Sequence, residues 1–214
     1  YHIAAGMNNR VYYHSIGDED DRDRRGSNAI NEVEYPGTVR DVQLNGSYAV
    51  VVVDSKAHLH PIDQSSDSDL KREPIILPSR KEGAFSRVTC VSLVGDFLYY
   101  GTEAGSVEVF YLEDWVMLPA IEMRLNDSIK HIYPNFNGAV VVVVDQSNQL
   151  FLFNSVSISG TSGSGSMLEF TDPPQNVVSA LWDVKEKEVI MVFDGNYVHT
   201  YVYVQSSMKG SLLT

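Results

Sequence analysis

An all-β fold built from a repeated unit is what this sequence predicts, and three observations predict it. An apolar run, a turn residue and an alternating strand recur five times along the 214 residues. The turn residues of the five copies are Gly6, Asp54, Gly101, Asp145 and Asp194, spaced 48, 47, 44 and 49 residues apart. No stretch keeps an apolar stripe at i, i+3, i+4 spacing long enough for a helix. A period of roughly 40–50 residues with four antiparallel strands per unit is the sequence sign of a β-propeller blade.

The elements follow in chain order. The first copy runs His2–Gly6 then Arg10–His14, and the second Ala49–Asp54 then His58–Ile62. The third runs Phe97–Gly101 then Ser106–Tyr111, the fourth Ala139–Asp145 then Gln149–Phe153, and the fifth Val189–Asp194 then Tyr197–Val202. Val, Ile, Tyr and Phe dominate these runs, and such side chains fit a pleated, half-buried surface. Gly and Asp suit the turns between paired strands. A run such as Val50–Val53 is apolar on both faces and predicts a strand covered on both sides. Val107-Glu108-Val109 alternates and predicts a strand nearer an edge. A further strand is expected before four of the hairpins, at Val39–Leu44, Val88–Leu93, Ile129–Tyr133 and Val177–Trp182. Weaker outer strands are expected at Pro74–Leu77, Trp115–Met123 and Met167–Phe170. One blade cannot bury both of its faces, so neighbours must stack. Residues 1–214 therefore read as about four to five blades of a WD40-like propeller, part of a larger ring. The chain opens on Tyr1 within a β-like run, so it reads as a piece of a longer protein.

Three segments interrupt the repeat: 17–28, 63–72 and 157–166. They are rich in charged, Ser and Gly residues and poor in apolar ones, which predicts flexible surface insertions. The first contains Asp18-Glu-Asp-Asp-Arg-Asp-Arg-Arg25, whose mixed signs favour a solvated loop over a basic partner's dock.

Composition narrows the function. The chain is 43% hydrophobic and 21% charged, which excludes a wholly disordered protein. A net charge of −12 argues against a nucleic-acid or anionic-membrane surface, which needs clustered Lys and Arg. The single cysteine, Cys90, excludes an internal disulfide and suits a reducing compartment. It lies in an apolar strand pattern and reads as a buried thiol. The longest apolar run, Ala139–Val144, is far below the roughly 20 residues of a membrane span.

No catalytic, cofactor or metal site is expected. His58 and His60 share one strand face, but zinc needs three or four converging ligands and no third is evident. His131 and His199 read as satisfied polar residues in strands. Asp54, Asp145 and Asp194 recur at blade period, which favours carboxylates bonded to their own turns over a catalytic ring. The Gly/Ser tract at 160–166 lacks the Lys of a phosphate loop. Asn45-Gly-Ser47 and Asn126-Asp-Ser128 match the short glycan-acceptor pattern at chance frequency. Trp182-Asp183 is a WD dipeptide by letters, but it stands in the first strand of its unit. The aromatics of Tyr111–Trp115 are the best candidates for a partner-anchoring patch, against packing between blades as the simpler reading.

Certain patches resemble a known family. Tyr1-His-Ile-Ala-Ala-Gly-Met-Asn-Asn-Arg-Val11, Glu34-Tyr-Pro-Gly-Thr-Val39, Asp96-Phe-Leu-Tyr-Tyr-Gly-Thr102 with Phe110-Tyr-Leu-Glu-Asp-Trp115, and Val198-His-Thr-Tyr-Val-Tyr203 are similar to the ciliary WD-repeat subunits of intraflagellar transport complex A. The three insertions depart from it. The resemblance implies two tandem propellers followed by a helical tail, with this chain in the second propeller. It implies a non-catalytic scaffold in retrograde ciliary transport and membrane-protein cargo entry. The implied partners are other subunits of the complex and cargo adaptors. The implied location is the cilium or flagellum and basal body, on the cytoplasmic side. It carries over no catalytic or binding residue. Two competing readings are a trafficking scaffold of a vesicle coat and a propeller glycosidase, the latter needing two carboxylates about 5–10 Å apart.

Overall fold

Among the described residues, turn-bounded runs of β-forming residues produce nineteen strands and no helix. The computed structural model describes residues 2–15, 31–62, 73–79, 86–118, 123–155, 165–205, 207 and 209–212. The chain divides into two compact units, Tyr1–Phe85 and Ser86–Thr214. The insertions expected at 17–28 and 63–72 lie outside the described residues, as does most of that at 157–166.

The first unit holds two sheets. β1 (His2–Met7), β2 (Arg10–Ser15) and β3 (Asn31–Glu34) make a three-stranded meander. β4 (Val39–Leu44), β5 (Tyr48–Val53), β6 (Lys56–Pro61) and β7 (Ile75–Leu77) make a four-stranded one. The second unit holds three four-stranded blades. They are β8 (Val88–Val94), β9 (Phe97–Thr102), β10 (Val107–Tyr111) and β11 (Val116–Met117); β12 (Ile129–Pro134), β13 (Val140–Asp145), β14 (Leu150–Asn154) and β15 (Met167–Phe170); and β16 (Ser179–Trp182), β17 (Val189–Phe193), β18 (Val198–Val204) and β19 (Lys209–Leu212). Within each blade the neighbours are antiparallel. The last two blades also join at their outer strands, where β15 and β19 pair in parallel with Glu169 opposite Lys209 and Phe170 opposite Gly210.

Blade stacking explains the two-sided apolar runs. In β13, Val141 and Val143 pack into a cluster with Phe97, Tyr99, Ile129 and Ile132. Val140, Val142 and Val144 pack on the other side with Ala180, Trp182, Ile190 and Tyr201. All five valines are at most 3% exposed. A fully buried Val contributes roughly 1.5–3 kcal/mol, so this one strand is a large share of the unit's stability. In the first unit Ala49, Val51 and Val53 of β5 meet Val11, Tyr13 and Tyr35.

Gly6 and Gly101, read above as turn residues, lie inside β1 and β9 instead. The turns fall two to four residues later, with Asn8 at φ 56° and Gly105 at φ 81°. The two strand glycines exist for close approach. A Cβ on Gly101 would sit 2.5 Å from Ile129 Cγ2 and 2.7 Å from Cys90 Sγ. One on Gly6 would sit 3.0 Å from Val39 Cγ1. At both positions the first strand of the following blade presses on the glycine. Gly101→Val is therefore expected to lower stability by about 1–3 kcal/mol through overpacking, read as a lower urea midpoint.

β3 and β19 were not expected from the sequence. The outer strand expected at Trp115–Met123 is reduced to Val116–Met117, extended by the Leu118 N–H bonding the Val109 carbonyl. Cys90 is half-buried rather than buried.

Candidate functional site

Each blade presents two sets of hairpin tips. In the second unit, one set joins the first and second strands of each blade: Gly95–Asp96, Asn135–Ala139 and Asp183–Glu188. Asn135 shapes its tip by accepting from the Val140 N–H at 3.1 Å, and Asn137 accepts from Ala139 at 3.0 Å. Asp183 Oδ1 accepts from the Lys185 and Glu186 N–H groups, which holds its carboxyl below the usual range. These side chain to backbone bonds fix the loops and push the intervening residues outward. Phe136 is left 53% exposed and Val184 87% exposed. Lys187 Nζ lies 4.3 Å from the centre of the Phe136 ring, so the tips of two neighbouring blades touch. A rigid aromatic on a fixed turn, with an aliphatic neighbour and a cation above it, is suited to anchor a protein partner.

The other set joins the second and third strands. Here the recurrent aspartates do local work, as their spacing implied. Asp145 Oδ1 accepts from the Gln149 N–H at 2.8 Å. Asp194 Oδ1 accepts from Asn196 and Tyr197. His199 Nε2 lies 2.8 Å from Asp194 Oδ2, and this bond, ahead of the two amides, holds the Asp194 carboxyl down to about 2. Asp54 differs in detail, accepting instead from the Thr38 N–H at 3.1 Å and so tying its hairpin to the segment that enters the blade. Asn45 Oδ1 of the glycan-acceptor pattern accepts from the Ser47 and Tyr48 amides within its own hairpin turn.

The histidines fall in different settings. His131 is half-buried 5.9 Å from the Tyr133 ring, and burial lowers its pKa. His58 and His60 do share a face of β6, as expected. That face packs on the first blade, where His60 Nε2 lies 2.9 Å from Tyr13 Oη and 2.8 Å from Tyr35 Oη. His58 meets the Tyr35 ring edge-on at 5.5 Å. Among the described residues no group of three or more His, Cys, Asp or Glu comes together to hold a metal.

Tyr111–Trp115 proves to be mainly packing. Phe110 is buried and meets Trp115 edge-on at 5.4 Å. Leu112 is fully buried, and Tyr111 lies 5.3 Å from Phe97. The Tyr111 hydroxyl donates to Glu113, and this bond pushes the phenol up to about 12. Trp182 of the WD dipeptide donates from Nε1 to the Tyr133 carbonyl at 2.9 Å, a bond between blades. Phe136 is an exposed aromatic that sequence reasoning missed. Its signal was an aromatic enclosed in an Asn-x-Asn-Gly turn, where nothing apolar is needed for folding.

Comparison with known proteins agrees with this architecture. A family described as "WDR19 second beta-propeller" matches residues 1–214. WD repeat-containing protein 19 of Homo sapiens is 30% identical over 214 residues, covering 99% of this chain and 15% of the relative. WD repeat-containing protein dyf-2 of Caenorhabditis elegans is 24% identical over 185 residues, covering 85% of this chain and 12% of the relative. The chain thus spans about a seventh of the length of these proteins. The beta-propeller domain of Myceliophthora thermophila Cps50 (Swd1) shares the fold, with a TM-score of 0.62 and 16% identity over 100% of this chain and 69% of that one. With the family matched from end to end on an all-β chain, this protein belongs to the WDR19 second beta-propeller family.

Proposed function

We propose that this chain is part of a non-catalytic scaffold propeller of intraflagellar transport complex A, supporting retrograde ciliary transport and membrane-protein cargo entry through protein–protein contacts. It forms part of the second of two tandem propellers, whose ring is completed by further blades. The observation that carries this reading is the family match over residues 1–214, whose description itself names a second propeller. The outward face of the fifth blade supports the larger ring. Leu181, Phe193 and Val198 there are 60%, 37% and 62% exposed, on a face equivalent to those that neighbouring blades cover elsewhere in the unit. The partners are other subunits of the complex, the location is the cilium and basal body, and no residue is assigned to chemistry. No helix among the described residues is long and apolar enough to cross a membrane.

The test is affinity purification of the full-length tagged protein from ciliated cells with cross-linking mass spectrometry. Cross-links from this region to other subunits of the transport complex are expected. Recovery with vesicle-coat components, or alone, would overturn the ciliary reading. Phe136→Asp is expected to leave the fold intact, because the residue is a turn tip, and to weaken subunit recovery by about tenfold or more, the loss of one interface anchor.

A further inference from the structure

We propose that Tyr13, Tyr35 and His60 form a proton-operated latch between the first two blades, closed while the His60 ring is neutral and released when it takes up a proton. The three polar atoms form a triangle. Tyr13 Oη lies 3.0 Å from Tyr35 Oη, and both hydroxyls reach His60 Nε2, at 2.9 and 2.8 Å. Tyr13 stands on β2 of the first blade, Tyr35 follows β3, and His60 stands on β6 of the second blade. Tyr13 and Tyr35 are 7% and 6% exposed, so water does not readily replace a lost partner.

Proton counting shows why the triangle responds to pH. With Nε2 unprotonated, the ring accepts a hydroxyl proton and the second tyrosine donates to Nε2 or to the first. Both hydroxyl protons then have acceptors. The neutral tautomer that accepts at Nε2 carries its hydrogen on Nδ1. When Nε2 gains a proton it becomes a donor, and the donor–acceptor order around the triangle must reverse. The ring then donates to one tyrosine, that tyrosine to the other, and the last hydroxyl proton has no acceptor within the triangle. A buried donor without a partner weakens the closed state, and so does a charge placed between two buried rings.

The surroundings do not compensate that charge. On the same face, β4 presents Val39, Val42 and Leu44, and β5 presents Ala49, Val51 and Val53. β6 adds His58 and Lys56 in the same row, and His58 lowers the proton affinity of His60. Asp41 pairs with Val52 and belongs to the opposite face of its blade. From the first blade, β2 sends Val11 and Tyr13 and β3 sends Val33. The charges of that blade, Arg10 with Glu32 and Glu34, are in register on its other face and bond each other. Among the described residues no carboxylate faces His60. Burial, then the backbone bond that opposes it, then His58 leave the ring with a lowered pKa.

The sign follows from linkage. A histidine whose folded pKa lies below its unfolded value of 6.5 stabilises the closed state fully above that value. The stabilisation is lost as pH falls from there toward the folded pKa. Hydrogen exchange of the intact protein at about pH 7.5 and about pH 5.5, corrected for intrinsic rates, tests the latch. Amides of β2 and of residues 33–39 are expected to lose protection at the lower pH, while those of β9 keep theirs. His60→Gln retains an acceptor but does not titrate, and its β2 protection is expected to be the same at both pH values. Unchanged β2 protection in the native sequence, or a pH-dependent loss in His60→Gln, would overturn the proposal. Carbon-13 NMR of the His60 ring gives a second reading without a variant, and a midpoint at or above 6.5 overturns it equally.

Discussion

Replacing Trp182 by alanine is expected to cost about 3–5 kcal/mol, the range for deleting a large buried aromatic. Trp182 is 9% exposed and packs with Val140, Val142 and Val144 of the preceding blade. Its Nε1 donates to the Tyr133 carbonyl at 2.9 Å, so truncation removes both packing and a bond across the blade boundary. The cavity would open between β12, β13 and β16, which cannot collapse without moving a whole blade. The check is a urea titration with hydrogen exchange resolved by strand. A lower midpoint with early exchange in β12, β13, β16 and β17 is expected. Trp182→Phe should recover part of the loss, because it restores packing without the Nε1 donor. An alanine variant within about 0.5 kcal/mol of the native chain, the range of an ordinary surface substitution, would contradict this account of blade stacking.

Tyr99→Ala is the second large effect, again about 3–5 kcal/mol. Tyr99 is fully buried on β9, in the cluster that joins the third and fourth blades. Its hydroxyl donates to the Gly138 carbonyl at 2.6 Å and lies 2.9 Å from Ser155 Oγ, which is itself fully buried. Burial raises the phenol to about 12, so it remains a donor throughout the physiological range. Tyr99→Phe separates the two contributions. It keeps the ring and leaves the Gly138 carbonyl and Ser155 short of a partner, an expected loss of about 1–3 kcal/mol. Gly138 is constrained as well, at φ 72° with the place of a Cβ only 2.8 Å from the tyrosine hydroxyl. If Tyr99→Phe proved as costly as Tyr99→Ala, the hydroxyl rather than the ring would be what joins these blades.

The sequence made the central strands readable and the boundaries between blades hard to read. Val50–Val53 and Val140–Val144 announce strands buried on both faces because no soluble hairpin tolerates such a run otherwise. Gly6 and Gly101 misled because a glycine at the end of an apolar run resembles a turn residue. Its true reason, a neighbouring blade's Val39 or Ile129 pressing on the backbone, lies 33 or 28 residues away. β3 reads Asn-Glu-Val-Glu and β19 reads Lys-Gly-Ser-Leu. Neither has the apolar content of a strand, because each is held by ladder hydrogen bonds and by ion pairs, Arg10 with Glu34 and Lys209 with Glu169. The Tyr13, Tyr35 and His60 triangle joins residues 22, 25 and 47 apart in sequence, so no local pattern could announce it. Local turn chemistry was legible where the bond stays within a few residues, as at Asp145 and Asp194, and not where Asp54 reaches back to Thr38.

The parallel join of β15 to β19 bears on how the folded chain avoids other chains. The outer strand of a sheet leaves a row of unpaired N–H and C=O groups that can template a foreign strand. In the fourth and fifth blades those rows face each other, and the Thr171 N–H adds a bond to the Gly210 carbonyl. The Phe170 ring centre lies 4.4 Å from that of Tyr201, tilted against it, and Phe170 covers Gly210, where a Cβ would sit 2.6 Å from it. The pairing itself leaves neither of these two outer strands a free edge at Glu169–Phe170 and Lys209–Gly210. The other outer strands are blunted in their own ways: β7 is three residues long and flanked by Pro74 and Pro78, β11 is two residues long, and β3 carries Glu32 and Glu34. Among the described residues the outer strands are thus paired, shortened or charged, which keeps their edges from recruiting foreign strands.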